Sequence, residues 1–190
     1  MNLHAVVLAA GAATRFGAPK QLARYQDQPL LLHALNHATQ YLGPAVTLVL
    51  GAHAAGISAV LHRSTASLVV NRDWAEGLAS SIRAGVRALP GSCDAVLLLL
   101  ADQPRVDTAT LQRLGSAWRR QPRSIVASLY ADTVGVPAIF PRRCFGELLA
   151  LRGDQGARRL LDRYADQLVR VTNPEAAIDI DSPEDLARLG

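Results

Sequence analysis

Aromatic residues are scarce in this 190-residue chain: three Phe, two Trp and four Tyr, 5% of the total. Leu, Ala and Val must therefore fill whatever core it builds. Cysteine is scarcer still. Cys93 and Cys144 stand far apart without a partner motif, which excludes a disulfide framework and a cysteine zinc site. No apolar run reaches the ~18 residues that a membrane-spanning helix needs. The N-terminus lacks a basic segment leading into a long apolar core, so no signal peptide is expected and the cytoplasm is the expected compartment. Two nucleotide fingerprints are also missing. The glycines near the N-terminus are not spaced G-x-G-x-x-G, which disfavours a dinucleotide fold. Gly17 is followed by Ala18 and Lys20 by Gln21, so the pattern G-x-x-x-x-G-K-[ST] of P-loop ATPases is absent.

What remains is an ordinary globular composition, 49% apolar and 19% charged, with a length that suits a single domain over residues 1–190. The net charge of +4 suits a pocket for anionic small molecules. The arginines are scattered; only Arg119, Arg120 and Arg123 cluster, beside Trp118, and a solvated helix end explains them better than nucleic acid does. Apolar runs of strand length fall at residues 4–9, 45–50, 67–70, 94–101, 124–129, 135–140 and 167–172. Amphipathic segments fall near 30–41, 53–62, 78–89, 108–120, 142–150, 155–164 and 183–189. Asp107 and Ser182 occupy helix N-cap positions, and Pro183 suits the first helical position. Strands apolar on both faces read as buried parallel strands. Alternating with helices, they imply an α/β fold: a three-layer α/β/α, Rossmann-like arrangement with a mostly parallel, doubly wound sheet. Ligands in such sheets bind beyond the carboxyl ends of the strands.

Two segments lie at such ends. The first runs from Val7 to Lys20 and joins strand one to a loop of small residues carrying Arg15 and Lys20. Small residues let backbone N–H groups approach an anion, and the two cations neutralise it; a triphosphate is the expected guest. The second is Asp102-Gln103-Pro104, directly after the apolar run that ends at Ala101. A carboxylate there suits Mg²⁺, with Mn²⁺ an alternative, since such ions are held by one or two carboxylates plus phosphate oxygens; it could instead cap the following helix. Near the C-terminus, Asp179 and Asp181 alternate along a short extended run and so share a face. Either could supply a second metal carboxylate, and Asp181 could instead stabilise the start of the last helix. Glu184 and Asp185 read as first-turn helix charges.

The motifs Leu8-Ala9-Ala10-Gly11, Arg15-Phe16-Gly17, Lys20-Gln21-Leu22 and Pro29-Leu30-Leu31 resemble the opening signature of nucleotidyltransferases of the glycosyltransferase-A-like fold. Asp102-Gln103-Pro104 looks like their metal aspartate motif, and the segment Asp179 to Leu186 looks like the closing segment of the molybdenum cofactor branch. Asn71 to Ser81, Gly135 to Phe140 and Gly153 to Arg158 are similar to the middle motifs of that branch, closest to its cytidylyltransferases. Guanylyl members usually show Leu-Ala-Gly-Gly, so Ala10 leans toward cytidine.

The resemblance implies transfer of CMP from CTP to a molybdopterin-type phosphorylated acceptor, with release of pyrophosphate and a divalent cation as cofactor. A molybdoenzyme or its maturation chaperone would receive the product; neither nucleic acid nor a membrane is an expected partner. Backbone amides of residues 10–17 would cradle the β- and γ-phosphates, Arg15 would stabilise pyrophosphate, and Lys20 would contact the α-phosphate. Asp102, perhaps with Asp179, would hold the metal. The nucleotide would also meet Leu8, Ala9, Ala10, Gly11, Gly77 and the hydroxyls of Ser80 and Ser81, which could equally cap a helix. Asn71 could contact nucleotide or serve as a turn residue. Gln103, Pro104, Gly135, Pro137, Asp154, Arg158 and Asp181 would face the acceptor, although Asp154 could merely cap a helix. The histidines His4, His33, His37, His53 and His62 are expected in structural or surface roles. Other phosphorylated small molecules, GTP in place of CTP, and a non-catalytic cofactor carrier remain the alternatives.

Overall fold

A computed structural model describes residues 1–61 and 64–189. Nine strands occur among them: β1 Leu3–Ala9, β2 Arg24–Tyr25, β3 Gln28–Pro29, β4 Val46–Leu50, β5 Ser67–Val70, β6 Ala95–Leu100, β7 Val126–Tyr130, β8 Thr133–Pro141 and β9 Val169–Thr172. The α-helices are α1 Leu30–Leu42, α2 Ala54–Ser58, α3 Leu78–Arg87, α4 Thr108–Arg120, α5 Phe145–Ala150, α6 Arg158–Arg163 and α7 Pro183–Leu189. β2 and β3 form a small antiparallel pair. The other seven build one sheet in the order β5-β4-β1-β6-β8-β7-β9.

Alternation along β1 shows why the sheet sits between two helical layers. Ala5, Val7 and Ala9 point into a cluster with Leu31 and Leu35 of α1 and Leu111, Leu114 and Trp118 of α4. Val6 and Leu8 point the other way, into a cluster with Ile82 and Val86 of α3, Leu148 of α5 and Leu160 of α6. Every residue of β1 and of β4 is buried, as expected of strands covered on both faces. Gly85 allows α3 to lie close on the sheet, because a methyl group there would collide with Val6 and Val49.

The expected three-layer, mostly parallel sheet is present, with one correction. β8 runs antiparallel to both of its neighbours, β6 and β7, so the run at 135–140 is not a parallel strand. Ala131 and Asp132 both take positive φ, 44° and 59°, and close a two-residue turn between Tyr130 and Thr133. A connection that short permits only an antiparallel hairpin. The helix expected at 53–62 is described only as the short α2, and its end at His62 lies outside the described residues. The extended run expected at Asp179 and Asp181 is irregular chain rather than a strand.

The expected caps are present. The Asp107 carboxylate accepts from the Thr110 N–H at 2.8 Å. Ser182 and Asp185 cap α7 reciprocally: the Ser182 N–H donates to Asp185 at 2.9 Å and the Asp185 N–H donates to the Ser182 hydroxyl at 3.3 Å. Among the described residues no helix is long and apolar enough to cross a membrane.

Candidate active site

The parallel pairing of β1 with β6 brings Leu8 beside Leu100, so the Ala10–Pro19 loop and Asp102 leave the sheet at the same edge. The loop is held from inside. Gln21 is buried, and its amide donates to the carbonyls of Ala9 at 3.0 Å and Gly11 at 2.8 Å, clamping the two sides of the loop's start. His53 contributes a 3.1 Å bond to the Ala12 carbonyl. Positive φ at Ala13 (53°) and Gly17 (73°) folds the loop back.

Lys20 then reaches Asp102. Its Nζ donates to Asp102 Oδ2 at 2.7 Å, to Asp181 Oδ1 at 2.8 Å and to the Ile180 carbonyl at 3.0 Å. The C-terminal segment is fastened to the same place by the Ile180 N–H, which donates to the Asp102 carbonyl at 2.9 Å. Ile180 itself is buried with Tyr25 and Leu30, against Phe16 and Leu186. Burial disfavours the ammonium charge, but the Asp102 and Asp181 carboxylates overcome it and raise the lysine pKa above its ordinary value; Lys20 is a cation here. Asp179 is exposed as a residue, yet partial desolvation of its carboxyl and the nearby Asp102 and Asp181 charges push its pKa up to about 6.

A cavity of about 400 Å³ opens over this edge, within the size range of small-molecule sites. Nine of the candidate residues line it: Leu8, Ala9, Ala10, Gly11, Lys20, Gly77, Ser81, Asp102 and Asp154. Others lie elsewhere. Asn71 and Ser80 stand behind the lining: Asn71 donates to the hydroxyls of Ser80 at 2.7 Å and Ser81 at 3.1 Å, and the Ser80 hydroxyl donates to the Gly77 carbonyl at 2.8 Å. They shape the turn rather than face the cavity. Arg15 is exposed and makes no hydrogen bond or ion pair among the described residues. Gln103 and Pro104 are buried, and the Gln103 amide donates to the Ala176 carbonyl at 2.8 Å, bracing the C-terminal segment. Gly135 and Arg158 line a smaller adjoining cavity; Pro137, in a cis peptide, is not part of its lining, and its carbonyl accepts from Ser128 at 2.7 Å.

Sequence reasoning missed several parts. Trp74 lines the main cavity. Buried Arg83 forks onto Glu76 at 2.9 and 2.5 Å and reaches the Leu151 carbonyl at 2.8 Å, tying the 74–77 turn to the 151–156 loop. Gly77, at φ 112°, closes that joint, since a side chain there would strike Asp154 and Gly153. Only the adjacency of Gln21 to Lys20 was available as a signal for the loop clamp. The described histidines play the structural roles expected: His4 meets Thr47 at 2.9 Å, His33 the Tyr25 carbonyl at 2.7 Å and His37 Thr108 at 2.9 Å. His62 lies outside the described residues.

The donor set suits a divalent cation. Asp102 Oδ1 is buried without a partner, and carboxylate oxygens are the ligands such ions take. Among the described residues no three His, Cys, Asp or Glu side chains stand close enough to hold a metal by themselves, so phosphate oxygens or water would complete its shell.

A cation and a carboxylate at one sheet edge, below a loop of small residues, define an α/β protein built to handle phosphate esters. The chain belongs to the MobA-like NTP transferase domain family, whose pattern it matches over residues 5–168. It is 31% identical to nicotine blue oxidoreductase of Paenarthrobacter nicotinovorans, covering 97% of this chain and 94% of that protein. It is 24% identical to molybdenum cofactor cytidylyltransferase of Escherichia coli (strain K12), covering 95% and 91%. The crystal structure of Rv0371C from Mycobacterium tuberculosis H37Rv, a complex with manganese, superimposes with a TM-score of 0.83 at 31% identity, covering 100% and 98%.

Proposed function

We propose that the chain, acting as one domain, transfers CMP from CTP to the terminal phosphate of a molybdopterin-type acceptor and releases pyrophosphate. The observation that carries this reading is the 2.7 Å contact between Lys20 and Asp102 at the floor of the main cavity. Family membership supports nucleotidyl transfer, the cytidylyltransferase relative supports the acceptor, and the manganese complex of the mycobacterial homologue supports a divalent cation. Ala10 supports CTP over GTP, because guanylyl members of the resembled family usually carry glycine at that position.

In this reading an oxygen of the acceptor phosphate attacks the α-phosphorus, and the bond from that phosphorus to the β-phosphate bridging oxygen breaks. The acceptor is already ionised, so no general base is needed. The difficulty is repulsion between like charges, and the protein's task is positioning and neutralisation. Amides of the Ala10–Pro19 loop hold the β- and γ-phosphates, and Arg15 folds onto the departing pyrophosphate. Lys20 passes from the carboxylates to the α-phosphate. Asp102 and Asp179 hold the divalent cation, Mg²⁺ or Mn²⁺, which when bound supplies further neutralisation of the phosphates. Ser81 and Gly77 face the nucleotide, with Asn71 and Ser80 fixing them. Asp154, Arg158, Gly135, Pro137, Gln103, Pro104 and Asp181 form or support the acceptor side. A molybdoenzyme or its maturation chaperone takes up the product.

The redox name of one relative suggests a second reading, an oxidoreductase. Against it, the loop after β1 lacks the G-x-G-x-x-G spacing, and Lys20 with Asp102 is phosphate and cation chemistry. Incubation with Mg²⁺, molybdopterin and each of the four nucleoside triphosphates separates the readings. Pyrophosphate release with CTP alone is the expected result. Release with GTP moves the chain to guanylyl transfer, and no release with any triphosphate overturns the proposal.

A further inference from the structure

Beside the main cavity lies a second one of about 150 Å³, and Leu8, Leu78 and Leu100 form their common wall. The rest of its surface is almost wholly apolar: Ile82, Leu98, Val136 and Leu161 face it, with backbone at Gly135 and Gly156. Two polar side chains reach it, Tyr130 and Arg158. The Tyr130 hydroxyl makes no hydrogen bond among the described residues. Burial first, and then the Asp179 carboxyl, push its pKa up while Arg158 pulls it down. Arg158 is largely exposed and, among the described residues, engaged only by Asp162 at 4.0 Å.

The position of the tyrosine is built in. Its ring lies across Gly135, where any side chain would collide with the hydroxyl. It is the last residue of β7, set by a turn in which Ala131 and Asp132 both hold positive φ, a conformation uncommon for such residues. Gly135, expected from resemblance to touch the acceptor, thus acts by making room for Tyr130.

We propose that this second cavity is the slot for a flat heteroaromatic ring of the acceptor, and that Tyr130 is the residue that selects it. The inference rests on the proposed transfer reaction and adds to it the place and the selector. Leucine and isoleucine walls accept the faces of a planar ring and offer a polyol nothing to replace its lost water. The tyrosine hydroxyl and the guanidinium donate to acceptor atoms on the ring's edge, which fixes its orientation. A ring so held directs its phosphate over the shared Leu8, Leu78 and Leu100 wall into the main cavity, which Asp102 lines.

Tyr130→Phe removes the donor and keeps the wall; Tyr130→Ala removes both. With CTP and molybdopterin, Tyr130→Phe raises the acceptor KM about 3- to 10-fold, while the CTP KM and kcat stay within twofold. Tyr130→Ala raises the acceptor KM further. A merely structural tyrosine would lower the melting temperature and leave that split absent. Fluorescence titration with 6-hydroxymethylpterin reads the slot without turnover: the wild type binds it, and Tyr130→Phe binds it more weakly. An unchanged acceptor KM in both variants overturns the inference while leaving the transfer reaction intact. Failure of the wild type to transfer CMP overturns the reaction, and the pterin titration then decides the slot: binding weakened by Tyr130→Phe sustains it, and no binding by the wild type ends it.

Discussion

Lys20 holds three oxygens at once, and one of them belongs to Asp102, the carboxylate proposed to hold a metal ion. Its charge neutralises Asp102 and Asp181 here, and in the proposed reaction it would neutralise phosphate as well. Lys20→Ala and Asp102→Ala should each lower the rate of pyrophosphate release by ~10²–10³, the usual cost of one electrostatic donor in a transfer site, while circular dichroism shows the fold intact. Asp179 gives a separate test. Its folded pKa of about 6 lies above the value of an unfolded aspartate, ~3.9, so the folded state binds more protons between those values. Its contribution therefore makes stability fall as pH rises from about 4 to about 6. Asp179→Asn removes that loss: in EDTA its melting temperature should exceed the wild type's at pH 7, and the gain should vanish below pH 4. An equal gain at both pH values would contradict the assignment.

At the scale of elements, the close seating of α3 on β1 and β4 sets the depth of the main cavity, because Leu78 and Ser81 enter its lining from that helix. Gly85→Ala should destabilise the protein by about 1–3 kcal/mol in urea unfolding through overpacking against Val6 and Val49, despite alanine's better helix propensity of ~1 kcal/mol. A neutral or stabilising result would show that α3 can move off the sheet at little cost. The elements themselves were legible. Apolar runs and caps marked β1, β4, β6, α1, α4 and α7 to within a few residues, because burial on both faces and side-chain capping act locally. Strand direction was not legible. The β7–β8 turn carries Ala131-Asp132 instead of the Asn-Gly or Gly-containing pairs that announce a hairpin, and an apolar run reads alike in either direction.

Across the whole molecule, distance along the chain is what the fold removes. Asp102 and Asp181 lie 82 and 161 positions from Lys20, and both meet its ammonium within 2.8 Å. Their convergence could be anticipated because β1 and β6 end at one edge. The clamp by Gln21, the Arg83–Glu76 fork and the placing of Tyr130 over Gly135 could not, since each depends on side-chain packing between segments with no shared pattern. In the proposed reaction metal and nucleotide binding would be one coupled event, because Asp102 and the start of the Ala10–Pro19 loop line a single cavity. Equilibrium dialysis of labelled CTP with and without Mn²⁺, in the wild type and in Asp102→Asn, measures that coupling directly. The account predicts that Mn²⁺ tightens CTP binding at least about tenfold, ~1.4 kcal/mol, in the wild type and not in the variant; an equal gain in both would show that the cation and the triphosphate do not meet at Asp102.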